Sequence, residues 1–175
     1  MRKIFPVLLI MSLAALFSGC TVKYSATGAS IDANAKTVNV RFFENRAPLN
    51  NPTLGQRMTQ KLRDKIQSQT KLVQVAETEP RADYEFRATI TGYSFTNAAV
   101  TNVDQSARSK LTVTVNVVFI KRVEGTDKKG WTQSFSRSAE FSASQLASSV
   151  ENSLLDNEII PNITDDIFNR AFANW

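Results

Sequence analysis

The chain opens on a positive pair, Arg2 and Lys3, followed by a 14-residue apolar run from Ile4 to Phe17. As a helix that run would reach roughly 21 Å at ~1.5 Å per residue, short of a ~30 Å hydrocarbon core. It therefore predicts the apolar centre of a secretory signal over residues 1–19 and not a permanent span. Residues 20–36 (CTVKYSATGASIDANAK) are small, polar and without helical or strand period, and they predict a tether.

Alternation sets in at Thr37. Val38, Val40 and Phe42 alternate with Asn39 and Arg41, which predicts a half-buried strand over 37–43. A turn-forming stretch, ENRAPLNN, places Asn51 to cap a helix whose first residue is Pro52. Leu54, Met58, Leu62 and Ile66 then recur every fourth residue, with Gln56, Lys61, Arg63 and Lys65 on other faces: an amphipathic helix. Strands are predicted over 71–76, 83–95, 110–122 and 131–141, the last three with apolar residues at alternate positions. From Ser148 to Ala173 the spacing is helical again, and Pro161 is expected to kink or break that helix near Ile160. The order is β-α-β-β-β-β-α. A right-handed parallel βαβ unit followed by an antiparallel meander gives a single α+β domain over 37–175. Its architecture is a two-layer sandwich, two helices packed on one face of a mixed, mostly antiparallel sheet.

Opposite the apolar positions lie Glu85, Arg87, Thr89 and Thr91 in one long strand, and Thr112, Thr114 and Asn116 in the next. The last strand adds Thr132, Ser134, Ser136 and Ser138, and the first adds Asn39 and Arg41. Such a row fits a solvated sheet face in an antiparallel meander. It also fits a surface built to sit close against something polar, such as the lumen of a large outer-membrane barrel, because hydroxyls donate, accept and bury no ion. Val118 and Ile120 break the polar rule and predict local cover by a loop or partner.

Composition narrows the function. The 175 residues include no His, one Cys and six Gly, and no GxGxxG or GxxxxGK[ST] string occurs. Histidine-dependent triads and His or Cys-rich metal sites are thereby excluded, and the missing glycine motifs argue against a nucleotide-binding loop. The acidic pairs, Asp165/Asp166, Glu77/Glu79 and Asp156/Glu158, show no sign of converging on a pocket as acid/base catalysis requires. No enzyme, cofactor or metal is expected. Without residues 1–19 the chain keeps 19 basic and 16 acidic residues, a net charge of +3, too small to call for nucleic acid.

Ser18, Gly19 and Cys20 resemble a bacterial lipobox, in which the Cys is acylated and becomes the new N-terminus; Phe17 stands where that pattern prefers Leu. Several buried acyl chains, at ~0.8 kcal/mol per CH₂, anchor a protein firmly. Together with YSATGASI, FFENRAPLNNPTLGQRMTQKLRDKIQSQTKL, ITGYSFT, SFSRSAEF and the closing DDIFNRAFANW, the chain resembles the LptE family of lipopolysaccharide-assembly lipoproteins in its Bacteroidota form. The resemblance implies a periplasm-facing lipoprotein held in the outer membrane by acylated Cys20. It implies an LptD-type barrel that the protein partners and plugs, lipopolysaccharide or lipooligosaccharide as cargo, and no catalytic residue. A structural lipoprotein of another envelope pore or secretion complex, or a free periplasmic lipid carrier, would carry the same fold.

Candidate contacts follow from side-chain chemistry. Arg108 and Lys110 flank one end of the clearest strand, while Lys121, Arg122, Lys128 and Lys129 surround the opposite turn, where Arg and Lys could bind lipid phosphates. The same residues also read as solvated turns, with Glu124 and Asp127 partly neutralising them. Thr112, Thr114, Ser134 and Ser136 are candidate barrel contacts, and Arg46 either docks a partner or ties down its loop. Lys61, Arg63 and Lys65 read as a solvated helix face, and Trp175 as core cover.

Overall fold

Three long antiparallel strands carry the sheet: β4 (Tyr84–Asn97), β5 (Arg108–Lys121) and β6 (Trp131–Ser142). The computed structural model describes residues 31–49, 51–78, 81–97, 108–125 and 129–173; the signal segment, Cys20, Lys128 and Trp175 lie outside them. β1 (Thr37–Val40) pairs in parallel with both β4 and β3 (Val73–Gln74), and the two-residue β2 (Glu44–Asn45) pairs with β4 farther along. The strand order is β3-β1-β4-β5-β6. Helix α1 (Leu54–Gln69) follows β2, and α2 (Ala147–Leu154) and α3 (Ile160–Phe172) close the chain. This is the expected α+β sandwich with one short strand added.

The core lies between the helices and one sheet face. Met58, Leu62 and Ile66 of α1 meet Ile163 and Ile167 of α3 over Phe86, Val115 and Val117, all buried. Phe172 seals one end of this layer, 5.4 Å from the Tyr84 ring and 5.9 Å from Phe86 in edge-to-face contacts. Charged side chains join the helices at the rim: Lys65 pairs with Asp165 at 2.7 Å, and Arg57 with Asp156. Arg63 reaches back to the Val40 carbonyl at 2.6 Å and to Glu77 at 2.8 Å. Two of the three basic residues read as a solvated helix face, Arg63 and Lys65, therefore tie α1 to its neighbours.

Four departures from the sequence pattern have physical causes. Strand β1 ends at Val40, and it is Phe43, not Phe42, that is buried; Phe42 is 48% exposed. The reason is α1, which approaches so closely that a Cβ on Gly55 would lie 2.3 Å from the Phe43 carbonyl oxygen. There the Phe43 N–H leaves the ladder and donates to the buried Thr59 hydroxyl at 3.0 Å. Asn51 caps a turn and not the helix: its Oδ1 accepts the Thr53 N–H at 3.1 Å, and α1 begins only at Leu54.

In β4 the register shifts between Ile90 and Gly92, leaving Thr91 as an extra residue, a β-bulge. The buried set accordingly changes parity, from Phe86, Ala88 and Ile90 to Tyr93. Finally, Pro161 does not break the last helix. A π-helical turn, Leu155–Ile159, precedes it, with the Ile160 N–H donating to the Leu155 carbonyl, so the wider turn absorbs the missing proline donor. Residues 31–36, at the end of the segment read as a tether, lie against the domain: Lys36 and Thr37 donate backbone N–H groups to Asp83 at 2.8 and 2.9 Å.

Candidate functional site: the open face of the sheet

Both helical segments bury one side of the sheet, and among the described residues the other side is left open. On that side Ser134, Ser136 and Ser138 are exposed and Thr112, Thr114 and Asn116 are half-buried. The strand register sets Thr112 across from Ser138 and Thr114 across from Ser136, and their hydroxyls hydrogen-bond at 3.1 and 3.0 Å. Gly92, opposite Thr114, keeps the row low: a Cβ there would come within 3.1 Å of the Thr114 side chain. The result is a flat, uncharged strip of donor-acceptor groups over the middle of β5 and β6.

Where this strip ends, at the Lys121 end of β5, the character changes. Glu85, expected on the solvated face, is only 1% exposed. Three guanidinium groups enclose it: Arg41 Nε at 2.5 Å and Arg87 Nε at 2.7 Å on one oxygen, Arg122 Nη2 at 2.6 Å on the other. Burial on its own would raise the Glu85 pKa; the hydrogen bonds from Arg87, Arg122 and Arg41 outweigh it and hold the carboxyl at about 2. Arg41 and Arg87 each contact Glu85 through Nε alone, and 40% and 50% of those side chains are exposed. Three cations around one carboxylate leave an excess of positive charge; Asp83, the next acidic residue along the strand, is already occupied by Thr37 and two backbone amides. Val118 and Ile120 lie directly opposite Arg87 and Glu85, so the apolar break seen in the sequence is the floor beside this cluster.

The basic residues singled out from sequence are not one patch. Arg108 and Lys110 sit about 40 Å from Lys121 and Arg122, at the other end of a strand rising ~3.4 Å per residue. Arg108 pairs with Glu140 at 3.1 Å, and Lys121 with Asp32 at 2.9 Å. Lys110 and Lys129 are exposed. Arg46 is exposed and pairs with Glu44, two residues earlier, at 2.6 Å. Arg41 and Arg87 were read in the sequence only as members of the polar face and not as phosphate contacts, because strand pairing is what brings Arg41 of β1 and Arg122 beside Glu85 and Arg87 of β4.

On the helical side, an open groove of about 390 Å³ between β6 and α3 is lined by Gln133, Phe135, Asp166, Asn169, Arg170 and Ala173. Its one carboxylate, Asp166, is held bidentately by Arg137 at 2.6 and 2.7 Å. Among the described residues no three His, Cys, Asp or Glu side chains gather as a metal site.

The fold and this face define a class: a small α+β sandwich with one dry and one open sheet face. Two solved structures share the fold. A hypothetical protein of Chlamydia trachomatis superposes with a TM-score of 0.52 at 12% identity, over 80% of this chain and 99% of that one. A protein of Xanthomonas campestris gives 0.53 at 11% identity, over 82% and 89%. No curated protein matches the sequence. The LptE family model, described as lipopolysaccharide-assembly, matches residues 35–171, and the chain belongs to that family.

Proposed function

We propose that this lipopolysaccharide-assembly lipoprotein seats its open sheet face against an LptD-type outer-membrane barrel, plugs it, and assists delivery of lipopolysaccharide or lipooligosaccharide to the outer leaflet. Acylated Cys20 holds it in the outer membrane, facing the periplasm. It works by occupancy and carries out no chemistry. The observation that carries this reading is the hydroxyl strip: Thr112–Ser138 and Thr114–Ser136 pairs on a face that no helix among the described residues covers. Short hydroxyl side chains let a polar wall approach closely and leave no ion to desolvate.

Within that reading, Arg41, Arg87 and Arg122 are the residues that meet lipid phosphates. A guanidinium fixed through Nε presents its two terminal nitrogens as a fork suited to phosphate oxygens, and Glu85 supplies the fixing. Val118 and Ile120 supply the apolar flank an acylated sugar phosphate would need. Lys110, at the far end, is a second cationic contact of the same kind. The test is co-purification from detergent-solubilised outer membrane with mass identification. One large barrel bound one to one is the expected result; a ring-forming pore protein, or no barrel, overturns it.

A further inference from the structure

Strand β6 is a sheet edge: β5 is its sole strand neighbour among the described residues, and the opposite edge, β3, is only two residues long. Long edges are normally guarded by proline, bulges or unpaired charge, since their outward N–H and C=O groups recruit other strands. β6 has none of these guards. Its pairing with β5 runs without a register shift from Phe119↔Trp131 to Arg108↔Ser142, and no proline interrupts it. Its two charges are both neutralised within the chain, Arg137 by Asp166 and Glu140 by Arg108.

The sequence of this edge is complementary to itself. We infer that, away from the barrel, β6 pairs antiparallel with β6 of a second copy of this chain, about a twofold axis at Ser136, joining two sheets into one. In that register residues 131–141 of each copy oppose one another in reverse order, and like-facing sides stay together. Trp131 then faces Phe141 twice, on the helix side, an aromatic cross-strand pair. Arg137 faces Phe135, and Ser134 faces Ser138. The Thr114–Ser136 hydroxyl pair continues directly into the partner's Ser136 and Thr114, so the strip becomes one uninterrupted row. Moving the axis by half a residue, to a point between Ser136 and either neighbour, would set the hydroxyl side of one copy beside the helix side of the other. Moving it to Arg137 would place two guanidinium groups directly opposite. An extended peptide could use the free backbone groups but would not need this mirror order of side chains.

The experiment is thiol cross-linking of the full chain, purified in detergent free of the barrel and carrying single substitutions, with the parental chain reporting any bridge through Cys20. Ser136→Cys, on the axis, is expected to form disulfide-linked dimers at least about tenfold faster than Ser94→Cys, a wet-face position on β4, since bridging requires Cβ atoms within ~4.5 Å. Ser134→Cys alone is expected not to cross-link, whereas an equal mixture of Ser134→Cys and Ser138→Cys gives the mixed dimer. Equal rates at positions 136 and 94, self-cross-linking at 134 without the mixed product, or capture of a different protein at 136 would each overturn the inference. Position 136 is exposed, so folding of the variants is not at stake; a circular dichroism melt matching the parental chain establishes it.

Discussion

Replacing Glu85 by Gln removes the charge at the centre of the three-arginine cluster and keeps its shape. Glu85 titrates at about 2 in the folded protein against 4.5 for an ordinary Glu. The unfolded chain thus binds the proton more readily, and stability rises with pH across that interval. At ~1.4 kcal/mol per pKa unit the ionised carboxyl contributes about 3 kcal/mol at pH 7, somewhat less where the half-exposed guanidinium groups are screened by water. That contribution is complete above pH 4.5 and falls as the pH drops through the interval, to about 1 kcal/mol at pH 3. The assay is urea unfolding of both proteins at pH 7, 5, 4 and 3. The gap between parental and Glu85→Gln stability should hold from pH 7 to 5 and shrink by more than half at pH 3. A gap that stays constant to pH 3, or one below about 0.5 kcal/mol at pH 7, would show that the cluster is not a buried ion network.

Gly55→Ala should cost more than about 2 kcal/mol in urea unfolding, because its Cβ would meet the Phe43 carbonyl oxygen at 2.3 Å and α1 would have to back away. Arg137→Ala should cost only about 1 kcal/mol, a bidentate but half-exposed pair with Asp166, and the loss should shrink in high salt. Arg41→Ala and Arg87→Ala should each weaken binding to lipopolysaccharide micelles several-fold at low salt and converge with the parental protein at high salt. Lys61→Ala, on the exposed side of α1, should leave that binding unchanged; an equal loss there would reduce the Arg effect to net charge.

The fold was legible because both periodicities were strong. The four-residue recurrence from Leu54 to Ile66 and the alternation from Leu111 to Phe119 each describe an element buried on one side, and the structure buries those residues. What the pattern missed is non-local. Phe43 replaces Phe42 in the core because α1 crowds that stretch of backbone, and Thr91 becomes a bulge because β5 dictates the register. Glu85 looked like one more residue of a wet face. Only pairing of β1 and β5 with β4 brings Arg41 and Arg122 to it, from 44 and 37 residues away. The hydroxyl strip, in contrast, was readable strand by strand, since side chains on one face of a strand are set by parity alone.

The proposed plugging role requires the open face of the sheet to meet the barrel wall. Photo-cross-linking residues at Thr112 and Thr114, on the open face, and at Lys61, on the far side of α1, address this directly in intact outer membranes. The expected result is a large barrel adduct from positions 112 and 114 and none from 61. Barrel adducts from 61 with none from the hydroxyl strip would mean that the open face is simply wet.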